Sequence, residues 1–452
     1  MDFGTTICAI STASGSGAIG IIRLSGKDSF SIAANIVVRK SAYGKLEPRK
    51  MLFTELVDES GNLIDEVMLA KFVAPSSFSG ENMVEIYSHG SEYIARKILN
   101  CLTSNGAVLA GPGEFTQRAF LNGKMDLSQS EAVADLIASS TAESHRIAMS
   151  QLKGNVSSKI RDLRTKMLDL TSLLELELDF SEEDVEFADR SKLNALIDEI
   201  CAEIERLIKT FEYGNAIKSG VPVAIVGEPN VGKSTLLNAI LHEDRAIVSS
   251  VAGTTRDTIE EEFVIDGIKF RFIDTAGIRN ADNEIEELGI KRTYSKLKSA
   301  KIVVLLLDSE AYCRREQMLS SVKSEISPEA HLIVVMNKCD IENVPAGMPL
   351  AISALNGTNV DKLCSMFVDY VKSLKPESAD VVIANARHID SLSATRTLLL
   401  SAKQSILDGV ATDFIAQDLR EANMHLGEIL GTDVFGVEDI LGNIFSKFCI
   451  GK

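Results

Sequence analysis

The sequence predicts a multidomain chain of α+β and α/β parts: an N-terminal α+β domain, a helical domain, and a doubly wound α/β domain with a mainly parallel sheet inserted into the helical one. Three observations predict it. The 452 residues exceed what one compact core holds and fit about three domains. A middle stretch alternates short apolar strands with helices, the pattern of a parallel sheet covered on both faces. Two helical, acidic blocks flank that stretch, as they would if one helical domain were interrupted. Two separate helical domains are the other reading, but a C-terminal block of about 65 residues alone makes a small core.

The expected segments are 1–121, 122–217, 218–376 and 377–452. In the first, branched and alternating residues at 18–24, 67–73 and 83–87 read as strands, and 93–102 reads as a helix. In the second, Ser128 and Ser130 offer N-caps to a helix carrying Ala132, Val133, Leu136 and Ile137. Leu163, Met167, Leu170, Leu174 and Leu178 mark a second helical stripe, and Leu193, Leu196, Ile197, Ile200, Ile204 and Leu207 a third. The last segment repeats the pattern with Leu398, Leu399, Ile406 and Leu407, then Leu419, Leu426, Ile429 and Leu430. The inserted segment has strands at 223–226, 269–273, 302–307, 332–336 and 350–352.

Lys plus Arg number 47 against 64 Asp plus Glu, a net charge of -17. Residues 1–121 carry 11 basic and 12 acidic side chains, 218–376 carry 19 and 22, and the two helical segments together carry 17 and 30. The helical segments therefore hold -13 of the total. This excludes a surface that grips nucleic acid everywhere, and leaves room for a local basic site. Seven carboxylates without a cation at 175–186 read as a solvated helix end or loop. The aliphatic run at 302–307 is strand-length, too short to span a membrane. The uncharged stretch 3–22 lacks a basic n-region and is broken by Gly15, Gly17 and Gly20, so it does not read as a secretion signal. Seven scattered Cys without a CxxC pair point to a reduced, cytoplasmic setting.

The chemistry concentrates in the insertion. Gly227 to Ser234 reads G-x-x-x-x-G-K-S between an apolar strand and a helix with Leu236, Leu237 and Ile240. Such a loop presents backbone N–H groups to phosphate, Lys233 reaches the terminal phosphates, and the Ser234 hydroxyl ligates magnesium. The expected contacts are Asn230, Val231, Gly232, Lys233, Ser234 and Thr235. Asp274, Thr275, Ala276 and Gly277 follow a strand, placing an acid near magnesium and a glycine amide near the γ-phosphate. Asn337, Lys338, Cys339 and Asp340 follow a later strand. The Asp340 carboxylate can accept the two protons that guanine offers and adenine lacks, and Ser353, Ala354 and Leu355 can bring an amide to the guanine oxygen. The nucleotide is therefore GTP rather than ATP. Ala252, Gly253, Thr254 and Thr255 form a polar loop suited to closing over the γ-phosphate, with Thr255 completing the magnesium shell. Ras-like GTPases place a water-orienting Gln after the D-x-x-G glycine; Ile278 stands there, and Asp282, Glu284, Glu286 and Glu287 are the nearby acids.

With Gly20-Ile-Ile-Arg-Leu-Ser-Gly26, Gly113-Glu-Phe-Thr-Gln-Arg-Ala-Phe-Leu-Asn122 and Cys449-Ile-Gly-Lys452 added to the nucleotide motifs, the chain resembles the MnmE (TrmE) family of tRNA-modification GTPases over its whole length. The resemblance implies a folate-binding, dimerising N-terminal domain and a GTPase domain inserted in a helical domain. It implies a cytoplasmic homodimer, off the membrane, that works with an FAD-dependent MnmG (GidA)-type protein and meets tRNA mainly through that complex. The pair would add an aminomethyl or carboxymethylaminomethyl group to C5 of the wobble uridine, with a tetrahydrofolate derivative as one-carbon donor. Family folate contacts fall on Arg23, Glu85, Lys124 and Lys452. The resemblance further implies that Asn230, with Ser249, Val251 and Thr254, holds potassium, that Ser250 lies in the same nucleotide-contacting stretch, and that Glu286 orients the attacking water. Cys449 reads as a bystander. Two other functions share features: an Era-like ribosome-assembly GTPase, which would need a basic RNA-binding domain where this chain has acidic helices, and a folate-dependent one-carbon enzyme with GTP as regulator.

Overall fold

The computed structural model describes residues 4–179, 190–242, 261–273, 297–341, 344–345, 347–376, 380–432, 444–446, 448 and 451. The expected site residues at 249–255, 274–277, 286 and 452, and Cys449, lie outside them. The chain forms two compact units: one of 1–137, 151–165 and 423–452, the other of 138–150 and 166–422.

The first unit begins with β1 (Ile7–Ile10), β2 (Ile19–Ser25), α1 (Ser29–Ile36), α2 (Lys40–Gly44), β3 (Met51–Val57), β4 (Leu63–Phe72), β5 (Met83–His89), α3 (Glu92–Ser104), β6 (Val108–Leu109), α4 (Glu114–Leu121) and α5 (Leu127–Ala138). The sheet order is β3-β4-β5-β2-β1-β6, antiparallel except for the parallel β1–β6 pair. Alternation sorts the faces: Ile22, Leu24, Val67, Leu69, Val84 and Ile86 point to α1 and α3, whose Ile32, Ile36, Ile98 and Leu102 complete one core. Ile7 and Ala9 pack on the other face with Phe115.

The expected serine caps do not hold. Ser128 and Ser130 lie fully buried inside α5, and the cap is Asp126. Its carboxylate accepts from the Gln129 amide at 3.0 Å while the Gln129 side chain accepts from the Asp126 amide at 3.0 Å, a reciprocal capping box.

The helices continue as α6 (Ala142–Leu152), α7 (Asn155–Asp179), α8 (Arg190–Lys209) and α9 (Phe211–Ser219). Part of the acidic run at 175–186 thus ends a helix, and its remainder, 180–186, lies outside the described residues.

The α/β part comprises β7 (Val221–Val226), α10 (Lys233–His242), β8 (Glu261–Ile265), β9 (Ile268–Phe272), β10 (Ile302–Leu307), α11 (Ser309–Tyr312), α12 (Arg315–Glu325), β11 (His331–Met336) and α13 (Val360–Ser373). Its sheet runs β11-β10-β7-β9-β8, parallel except for the antiparallel β8 edge. Interior strand β10, IVVLLL, is buried along its whole length, as a strand covered on both faces must be. Residues 350–352, expected as a strand, reach the sheet only through a single Met336–Ala351 bridge.

The second unit also holds α14 (Ala386–Leu407) and the start of α15 (Thr412–Leu430). In α14 the inward stripe is Leu392, Thr395, Leu399, Ala402 and Ile406; Leu407, expected in the core, is 64% exposed because it falls one position beyond the buried turn. No described helix is long and apolar enough to cross a membrane. Among the described residues Cys8, Cys101, Cys201, Cys313, Cys339 and Cys364 form no disulfide.

Candidate functional site

β7 ends at Val226 and α10 starts at Lys233, so 227–232 form a loop at the carboxyl end of the central strand. There the chain switches from one side of the sheet to the other, the crevice where doubly wound sheets take ligands. The loop tolerates no side chain at its glycines. A Cβ on Gly227 would lie 2.5 Å from the Leu306 oxygen, and one on Gly232, at φ +100°, would lie 2.3 Å from Asn337 Nδ2. Asn230 sits at a left-handed φ of 63°, which turns successive amides toward the loop's hollow. The Lys233 ammonium donates to the carbonyls of Gly227 at 2.8 Å and Glu228 at 2.9 Å, and burial pushes its pKa below the usual lysine value. Those carbonyls occupy the ammonium as phosphate oxygens would. Val231 is fully buried in the core, so its contribution to a ligand is its backbone. Ser234 and Thr235 lie in the first turn of α10, where the helix dipole favours anions.

Asn337 is 3% exposed and acts as a strut: its Nδ2 donates to the Val231 oxygen at 2.8 Å and its Oδ1 accepts from the Ala354 amide at 2.9 Å. One side chain thus joins the phosphate loop, the end of β11 and the 353–355 stretch. The expected amide from that stretch therefore meets a competing acceptor at Ala354; Ser353 is buried and Leu355 is 80% exposed. Lys338, at φ 61°, extends to Asp308 Oδ2 at 2.8 Å. Burial works against the charge on Asp308, yet Lys338 and the Ala311 amide hold its carboxyl below the ordinary range. Exposed Asp340 accepts from Asn356 Nδ2 at 3.2 Å, leaving carboxylate edge for a base. Asp308 and Asn356 lie outside the recognised motifs, although an acid ending an interior strand is a readable signal. The Glu228–Arg314 ion pair at 2.6 Å, which ties the phosphate loop to the turn before α12, has no sequence signature.

Among the expected folate residues, Arg23 and Glu85 face each other across β2 and β5, with Nε to Oε1 at 2.9 Å. Tyr87 donates to Glu85 Oε2 at 2.6 Å, and burial, then the carboxylate, push the phenol up to about 12. The Arg23 guanidinium lies 5.1 Å from the Phe78 ring centroid. Ala9 pairs with Arg23, and next to it the Ile10 oxygen would be 1.9 Å from a Cβ on Gly451, so the neighbour of Lys452 lies beside this strand. Ser11 Oγ donates to the Gly451 oxygen at 2.9 Å. Lys124 stands apart, donating to the Pro75 oxygen at 2.9 Å. It reaches the pair only through the loop that carries Phe78, since Asn122 also holds that loop at the Ser79 oxygen, 2.8 Å away.

A network that sequence reasoning missed braces this loop. Arg118, 2% exposed, donates to Glu114 at 2.8 Å, to Glu81 at 3.3 Å and to the Thr5 oxygen at 2.8 Å. Ser25 Oγ then joins Glu81 at 2.8 Å to Ser79 at 2.6 Å. The Glu114–Arg118 pair at i,i+4 was legible; its long-range partners were not.

The family model for the MnmE helical domain matches residues 127–449, and that for the GTP-binding protein TrmE N-terminus matches 6–124. Proteins named tRNA modification GTPase MnmE are 47% identical in Bacteroides thetaiotaomicron (99% of this chain, 99% of that one) and 46% in Parabacteroides distasonis (99% and 100%). The relative of that name in Cytophaga hutchinsonii is 44% identical over 99% of this chain and 98% of its own.

Proposed function

The chain belongs to the MnmE family of tRNA modification GTPases, and from that premise we propose that it hydrolyses GTP to drive modification of wobble uridines at C5. The observation that carries the GTP reading is the convergence of the phosphate loop, the Asn337–Asp340 stretch and 353–355 through one buried Asn337 side chain. Asp340 reads guanine, Lys233 takes the terminal phosphates, and Ser234 with Thr255 would hold magnesium, which supplies positive charge against the leaving phosphates when bound. Asn230, with backbone at Ser249, Val251 and Thr254, would hold potassium, whose charge replaces an arginine finger. Thr254, Ala252 and Gly253 close over the γ-phosphate, Asp274 to Gly277 sense it, and Glu286 orients the attacking water.

Arg23, Glu85, Lys124 and Lys452 are the proposed contacts of a tetrahydrofolate derivative. The arrangement fits: a guanidinium over an aromatic ring beside a buried carboxylate suits a planar ring with donor edges and carboxylate tails. We further propose the inserted arrangement of the GTPase segment 218–376 in a helical domain, a homodimer, and an FAD-bearing MnmG-type partner that completes the chemistry. The test is mass spectrometry of wobble uridines from cells lacking this chain. Loss of the C5 group is expected; unaltered uridines would overturn the reading in favour of ribosome assembly or one-carbon regulation.

A further inference from the structure

In a chain of net charge -17, residues 39–50 place Arg39, Lys40, Lys45, Arg49 and Lys50 within twelve positions against the single acid Glu47. The fold brings three of them, Arg39, Lys40 and Lys45, to one surface. Val38, Arg39, Lys40, Ser41, Ala42 and Lys45 line one shallow hollow around α2. Arg39 lies 5.6 Å from the centroid of the half-exposed Phe53 ring on β3, which holds its guanidinium outward. Arg49 and Lys50 lead into the same strand. Buried Lys71 donates to the Tyr43 oxygen of α2 at 2.6 Å and so anchors that helix. Only Lys50 among the five surface cations has an ion pair with a described acid, Glu47 at 2.7 Å.

Exposed cations without acids to balance them are what counterion release from nucleic acid requires. Resting on the tRNA-modification reading, we infer that the α2 hollow is an RNA-backbone docking surface that seats phosphates of the tRNA substrate. It contacts phosphate and carries no base readout, so it positions the tRNA and leaves sequence choice elsewhere. The acidic helical segments repel RNA, so this contact is weak alone and adds to whatever a partner provides.

The test uses the full-length protein and a tRNA transcript with a wobble uridine, titrated over a range of KCl. The triple variant Arg39→Ala, Lys40→Ala, Lys45→Ala is expected to bind on the order of tenfold more weakly at low salt and to lower the salt slope by roughly 2–3. Its GTP hydrolysis is expected to be unchanged. A variant of equal charge loss in the other unit, Lys323→Ala, Lys362→Ala, Lys372→Ala, should keep the slope, and Lys40→Arg with Lys45→Arg should keep the affinity. Unchanged binding by the first triple, or equal loss in the control, overturns the surface. Loss of binding to vesicles of anionic phospholipid with tRNA binding intact would overturn it in favour of a membrane. If wobble modification is absent in deleted cells but fully restored by the triple variant with normal tRNA affinity, the docking surface fails while the functional reading stands.

Discussion

In the proposed guanine site Asp340 and Asn337 differ in exposure: one meets solvent with a carboxylate edge, the other is sealed inside as a strut. Asp340→Asn presents an amide donor where guanine needs an acceptor, so GTP affinity should fall on the order of a hundredfold while XTP binding rises. Isothermal titration with both nucleotides checks this, and equal GTP affinity would remove Asp340 from the base site. Arg118 poses a different question, because its charge is almost wholly enclosed between Glu81 and Glu114. Arg118→Met should cost about 3 kcal/mol of unfolding free energy by leaving both carboxylates without their cation. The same change should weaken folate binding, since the loop carrying Phe78 loses its brace. Urea unfolding with a folate titration reads both effects, and a neutral result in each would reduce the network to a surface contact.

The strand and helix content follows physics that short sequence windows carry. β10 and β11 were readable because buried parallel strands are apolar throughout, and the stripes of α7 and α8 because helical spacing repeats over several turns. The phosphate loop and Asp340 were readable because function fixes residue type and spacing together. What escaped depended on distant partners. β1 and β3 are short or half-exposed and gain their place only from pairing with β2 and β4. Two serines look like caps until tertiary packing buries them, and the true cap, Asp126, is chosen by its reciprocal bond with Gln129. Asp126→Ala should therefore cost about 1 kcal/mol, whereas Ser130→Ala should cost less. Thermal melts of the two variants give the comparison, and a larger loss from Ser130→Ala would reverse the assignment. Tyr87 shows the middle case: it alternates with Glu85 along β5, so its place on the same face was implicit although its hydrogen bond was not.

Across the whole molecule, charge and composition separate tasks. The helical segments hold -13 of the -17, while the segments bearing the proposed folate and nucleotide contacts are nearly neutral. With Ile278 in place of a catalytic Gln, GTP turnover should be several-fold or more faster in potassium than in sodium at equal ionic strength. Equal turnover in the two salts would remove the cation from Asn230. The bond between Ser11 and Gly451 joins positions 440 residues apart, and the unit that contains it draws on both ends of the sequence. On a ribosome adding about 5–20 residues per second, β1 must wait roughly 20–90 s for that partner to be made. The nucleotide-binding unit, nearly continuous in sequence, can fold first. A nascent chain would thus acquire its GTP site before the Gly451 contact beside β1 forms, and a prematurely terminated one would leave that edge open to proteolysis.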